Sequence, residues 1–139
     1  MSQMSDYLES QIGNLLFRTQ TAWKPSAIYV ALLTAAPSDS GGGTEVTGGS
    51  YARVAVSQLD AQWNAPSAGN GLFSNVNNIT FPAPTANWGT ITHMAIFDAS
   101  TAGNMLIWGP LGISKTVNNG DPAPAFTGGA PGELQVTFL

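Results

Sequence analysis

The chain has 139 residues, no cysteine and one histidine, and only 9% of its residues are charged, for a formal net charge of −4. Its length suits one domain over 1–139, burying roughly two-thirds of its unfolded surface. The missing cysteine excludes disulfides, zinc–thiolate sites and thiol catalysis, and one histidine argues against a histidine metal cluster, so no metal or cofactor is expected.

An ordinary soluble domain is about 25% charged. Here the surface must be largely Ser, Thr, Asn, Gln and Gly, which keeps copies apart weakly and loses little hydration when another protein covers it. That composition fits a protein packed against partners, and it fits an uncharged polar β-domain equally. Four basic residues cannot form the clustered cationic face that displaces counterions from nucleic acid. Met1 to Ser10 has neither a basic start nor an apolar core, so no signal peptide is expected. No stretch reaches the roughly 20 apolar residues of a membrane span, so no membrane insertion is expected.

In chain order, Asp6 to Arg18 is the helix candidate, with Asp6 as cap, Glu9 reaching back to it, and Leu8, Ile12, Leu15 and Leu16 on one face. Gly13 weakens it by about 1 kcal/mol, so the apolar face needs a dock, either its own sheet or a neighbouring subunit. Ser26 to Leu33 is a strand apolar on both faces, hence central and covered twice. Ser38 to Ser50 is Gly-rich and polar, too flexible to pack alone, and a loop of this length is functional or ordered by a partner.

Tyr51 to Gln58 alternates as a strand. Within it Arg53 is an isolated cation that can grip Glu45 or Asp60, either toward a partner or as a local loop anchor. A turn-rich stretch, Asn64 to Asn70, precedes Gly71 to Ser74 and a strand over Asn77 to Phe81, and the Asn75, Asn77, Asn78 cluster reads as turn chemistry. Trp88 opens an apolar hairpin whose arms join through Ala99 to Asn104, followed by a third strand at Leu111 to Val117. Pro122 to Pro131 is a Pro/Gly-rich loop, and Gly132 to Leu139 closes the chain as a strand with Leu134, Val136 and Phe138 on one face. The sum is a mainly β fold, a β-sandwich or open barrel of about seven short strands with one N-terminal α-helix.

The residues carry no recognisable catalytic constellation, so an enzyme is not expected. Asp98 and Asp121 occupy turn positions, and Asp6 and Glu9 belong to the helix start. His93 sits in an apolar strand with no Ser, Cys or Asp motif beside it. Gly41 to Gly43 and Gly48-Gly49 lack the Lys-Ser/Thr and helix of a phosphate-binding loop.

Several stretches taken together resemble a known family: Ser-Asp-Tyr-Leu-Glu (Ser5 to Glu9), Ile-Tyr-Val-Ala-Leu-Leu-Thr-Ala-Ala-Pro (Ile28 to Pro37), Gly-Thr-Glu-Val-Thr-Gly-Gly-Ser-Tyr-Ala-Arg (Gly43 to Arg53), Thr-Phe-Pro (Thr80 to Pro82), Trp-Gly-Thr-Ile-Thr-His-Met-Ala-Ile-Phe-Asp (Trp88 to Asp98) and Lys-Thr-Val-Asn-Asn-Gly-Asp (Lys115 to Asp121). The chain resembles the small tailed-bacteriophage structural proteins labelled tail fibre proteins. Tyr-Ala-Arg and Trp-Gly-Thr are the most specific pieces, and the Pro122 to Pro131 loop departs from the pattern. The resemblance implies a non-enzymatic virion protein, synthesised in the host cytoplasm. A compact chain without repeats or shaft argues for a capsid cement or decoration protein that clamps adjacent capsid subunits, ahead of a tail or tail-fibre component that contributes to host-surface recognition. The expected partners are a major capsid or tail protein and further copies of the chain, preferably as a trimer. Leu8, Ile12, Leu15, Glu45, Tyr51, Arg53 and Trp63 are the candidate partner contacts, and a sugar-binding role is open for Trp63 or Trp88.

Overall fold

The computed structural model describes residues 2–66 and 71–138. The end of the turn-rich stretch Asn64 to Asn70 and Leu139, the last residue of the final expected strand, lie outside the described residues. The fold is a mainly β sandwich with one N-terminal helix, and its strands pair antiparallel throughout.

The helix α1 covers Asp6–Phe17. Its cap is Ser5 rather than Asp6: Ser5 is extended, its Oγ accepts from the Leu8 amide at 3.2 Å, and the same hydroxyl donates to the Met105 carbonyl. The cap therefore does two jobs, satisfying a free amide of the first turn and tying the helix to the sheet. Asp6 and Glu9 fall in the first turn, where the helix dipole favours acids. The helix docks on its own sheet through Leu8, which lies in the main core.

Eleven strands form among the described residues, more than the seven expected, because two-residue ladders zip up inside loops that read as irregular. The large sheet runs β1 (Gln3–Met4), β9 (Met105–Val117), β8 (Gly89–Phe97), β2 (Ile28–Ala35), and its far edge is shared by β3 (Thr44–Glu45) and β4 (Val54–Val56). That sharing corrects the strand read over Tyr51 to Gln58. Only Val54–Val56 can pair, against Ile28–Val30, because β3 occupies the edge at Leu33 and Ala35. The Ser38 to Ser50 loop is likewise ordered by its own chain: it supplies β3 and buries Val46.

Leu111 to Val117 is not a separate third strand. Residues 105–117 pair with β8 along their length, but four residues of β9, Leu111 to Ser114, stand opposite the single residue Thr92. The excess loops outward as a bulge, as a surplus of residues on one strand must, and leaves Ile113 88% exposed. The hairpin arms close through Asp98, which accepts from the Asn104 amide at 2.7 Å and its side-chain nitrogen at 2.8 Å.

The facing layer comprises β5 (Trp63–Asn64), β6 (Leu72–Asn75) and β11 (Gln135–Thr137) in the order β11-β6-β5, and the pair β7 (Ile79–Thr80) with β10 (Ala125–Phe126). Val30, Leu32, Met94 and Ile96 of the large sheet meet Ile79, Phe81, Leu134 and Val136 in one apolar cluster between the layers. The opposite face carries a smaller cluster of Leu33, Ala95 and Met105 with Phe97 and Trp108. The loop before β3 partly covers it, since Asp39 accepts from the Trp108 indole at 3.0 Å. Leu134 and Val136 are buried as their alternation requires, while Phe138 is half-exposed and packs edge-on to Phe73.

Asn75 is not the turn residue that its neighbours Asn77 and Asn78 suggest, but ends β6 fully buried. Its side-chain amide donates to the carbonyls of Asn77, Phe126 and Thr127, and its Oδ1 accepts from the Leu134 amide at 2.9 Å. The Pro122 to Pro131 loop is thereby pinned to the facing layer. Gly132 completes the join: a Cβ there would lie 2.0 Å from the Asn75 carbonyl oxygen, so no other residue fits without displacing backbone.

Candidate functional site

The candidate contact residues fall into two groups. Glu45, Tyr51 and Arg53 meet at the far edge of the large sheet. Glu45 is carried by β3, and Arg53 stands just before β4, so the two short strands sharing the β2 edge bring the charges together. Arg53 grips Glu45 through Nε and Nη2, both at 2.8 Å, and its Nη1 donates to the carbonyls of Ala99 and Ala102 at 2.9 and 2.8 Å. Its guanidinium lies 3.6 Å from the centre of the Phe97 ring. Five donors in a rigid fork suit such a site, and lysine would not replace them.

Only 7% of the Arg53 side chain is exposed. The guanidinium is spent on its own chain, holding β3 and the β8–β9 turn together, which is the loop-anchor reading of this cation. The Tyr51 hydroxyl donates to Glu45 Oε1 at 2.9 Å and accepts from the Leu32 amide at 3.0 Å. Burial is the main cause raising the Tyr51 phenol above its ordinary range; the Leu32 amide opposes this, and the Glu45 carboxylate adds to it. Tyr51 therefore stays protonated and serves as a donor.

The two most specific pieces of the family resemblance touch. Tyr51 packs edge-on against Trp88 with ring centres 5.4 Å apart, and the Trp88 indole donates to the Gly49 carbonyl at 2.9 Å. Trp88 is buried, which removes it as an exposed sugar platform. Tyr-Ala-Arg and Trp-Gly-Thr thus form one structural joint.

The other candidates are Leu8, Ile12, Leu15 and Trp63, of which Leu8 and Trp63 line a cavity of about 350 Å³ between α1, the β9 end of the large sheet and the facing layer. Leu8 walls it from the helix, Ile107 from β9, and Val136 from β11, with Trp23, Trp63 and Leu59 at its sides. Gln58 and Asp60 also line it. Trp63 is half-buried, and its indole is held by the Ser57 carbonyl at 2.8 Å. Leu8 is buried and Ile12 packs partly against the core, whereas Leu15, expected on the same docked face, is 42% exposed.

Sequence reading missed Trp23 and Leu59 as cavity residues, because neither belongs to a periodic element. It also missed that Leu16 and Phe17 are 67% and 85% exposed. Three consecutive apolar residues ending a helix were the available signal, since no single stripe can bury them all.

His93 is half-buried, bonded through Nδ1 to the Thr92 hydroxyl at 2.8 Å and set beside the Trp108 ring. Among the described residues no three His, Cys, Asp or Glu side chains converge as metal ligands, and no helix is long and apolar enough to cross a membrane. Chemically, the two groups can anchor loops and accept an apolar group.

Comparison with curated proteins gives no match. The family model described as Podophage GP4 fiber I protein gp80 matches residues 3–136, nearly the whole chain and every element except the last residue of β11. The joint of Tyr51 with Trp88, the Arg53 anchor and the apolar cavity all lie inside the matched span, and the chain belongs to the family of the podophage GP4 fiber I protein gp80, a phage fibre family.

Proposed function

We propose that this protein is a non-enzymatic component of a phage tail fibre that contributes to host-surface recognition, in place of the capsid cement role expected from its compactness, low charge and long loops. The observation that carries the reading is the fibre-family match over residues 3–136. Compactness is a weak guide, because a fibre can be assembled from small modules joined to other chains. The polar groups support a structural role: Arg53, Glu45, Tyr51, Asn75 and Asp98 are each bonded within the chain, holding loops in place.

In this reading the sandwich is a rigid carrier. The segments available for contact are the ones it holds outward, among them the β9 bulge at Ile113 and the end of α1. Antibodies against the protein, applied to intact particles and imaged by electron microscopy, test the assignment. Label on the tail appendages is expected, and purified protein should reduce adsorption to host cells by competition. Label spread over the capsid surface would overturn the reading in favour of cement.

A further inference from the structure

The cavity walled by Leu8 has a buried floor, aromatic walls held in place and one charged residue at its mouth. Leu8, Ile96, Leu106 and Val136 form the floor, each no more than 7% exposed. The walls are four rings. The Trp63 indole is held by the Ser57 carbonyl, Trp23 meets Tyr7 edge-on with ring centres 5.9 Å apart, and Phe73 meets Phe138 in the same way, also at 5.9 Å. Contacts within the chain thus set each ring before anything enters, and a site ordered in advance loses less binding energy to ordering. Leu59, 69% exposed, and the exposed acid Asp60 stand at the mouth.

We propose that this cavity binds one alkyl chain of a lipid-like amphiphile whose head group is uncharged or cationic and stays at the mouth. Among the described residues, every side chain of the lining except Gln58 and Asp60 is apolar. A saccharide ring buried there would leave most of its hydroxyls without partners, a loss that stacking on Trp63 does not offset. An alkyl chain has no polar group to satisfy. Asp60 selects the head group: it is the one charged side chain of the lining among the described residues, and Lys24, although it stands between the lining residues Trp23 and Pro25, is exposed and outside the lining. A carboxylate at the mouth repels an anionic head and attracts a cationic one.

Size and packing agree with that occupant. The volume of about 350 Å³ lies at the lower end of the range for pockets that hold a ligand, enough for a single chain. An aromatic wall that fronts a cavity makes fewer dispersion contacts than one packed against other side chains, and an alkyl chain supplies the missing partner atoms. The occupant would touch α1, the large sheet and the facing layer at once, so binding should also raise Tm. The cavity belongs to the sandwich itself, and its ligand does not depend on where the protein sits in the particle.

Octyl, decyl and dodecyl maltoside, titrated below their micelle concentrations into the full-length protein and followed by tryptophan fluorescence and calorimetry, provide the test. One molecule should bind per chain, each methylene removed should weaken binding about fourfold, and maltose alone should not bind. At low salt decyltrimethylammonium should bind about fivefold more tightly than decanoate, and Asp60→Asn should remove that preference. Leu59→Asp, at the exposed mouth, should stay folded by circular dichroism and weaken decyl maltoside at least tenfold. Phe17→Asp, at an exposed position outside the lining, should leave binding unchanged. No binding of any maltoside would overturn the proposal and leave the cavity to an apolar side chain of another virion protein. Binding of maltose alone would make it a saccharide site instead. Sensitivity to Phe17→Asp but not to Leu59→Asp would move the chain to the exposed helix end, and decanoate bound as tightly as the cation would overturn the choice of head group.

Discussion

At the residue scale, several polar side chains bind the chain's own backbone and hold distant segments together. Asn75 shows the principle most clearly, because one buried amide satisfies three carbonyls and one amide proton from three different segments. Asn75→Ala removes these bonds at once and leaves the amide of buried Leu134 without its acceptor, and it should destabilise the fold by about 3 kcal/mol, seen as a drop in Tm of roughly 10 °C in a thermal melt. Tyr51 gives a pH dependence. Its phenol is raised in the folded state, chiefly by burial. Below the ordinary phenol value of about 10 both states hold the proton and its contribution is complete; above it the unfolded chain ionises first, and stability falls as pH rises. Urea titrations between pH ~10 and ~11.5 should show wild type losing stability more steeply than Tyr51→Phe, although the variant starts lower for want of its two hydrogen bonds. Parallel slopes would show that Tyr51 is not the group responsible.

At the element scale, α1 is tied at one end and free at the other. Ser5 bonds to both Leu8 and Met105, whereas the last turn carries no basic residue and three exposed apolar ones. Gly13 sits between these halves, and a Cβ there would meet nothing within 4 Å. Gly13→Ala should therefore stabilise the protein by about 0.5–1 kcal/mol, with Tm rising by a few degrees. A fall in Tm would mean that the helix does not run unbroken through Gly13. The bulge in β9 is the other local departure. Leu-Gly-Ile-Ser at Leu111 to Ser114 reads as strand by composition, and its outward excursion follows from register with β8, which no local pattern encodes.

At the scale of the whole molecule, low charge governs behaviour more than any single pair does. With a sequence pI near 4.5 and a net charge of −4 at neutrality, little repulsion separates copies. Light scattering across the acid range should show self-association rising toward pH 4.5 and solubility passing through a minimum there, because net charge vanishes. A solubility maximum at that pH would contradict the argument. The fibre-family assignment also belongs to this scale, since the match over residues 3–136 rests on the whole arrangement rather than on one site.

Periodicity was enough to read the helix from Asp6, the twofold-covered strand β2, the apolar hairpin and the buried Leu134 and Val136, because each depends on neighbours close in sequence. For Arg53 the sequence offered two acids at similar spacing, Glu45 and Asp60, and the fold chose Glu45 by setting β3 beside it. Tertiary structure alone decided that β3 and β4 share one edge, that β9 bulges, that Asn75 is a hub, and that Trp23, Leu59 and Leu8 line one open cavity. These depend on contacts between distant segments, some more than 50 residues apart, such as Asn75 with Leu134. A side chain's local pattern states whether it prefers to be buried, and only the assembled fold states what it is buried against.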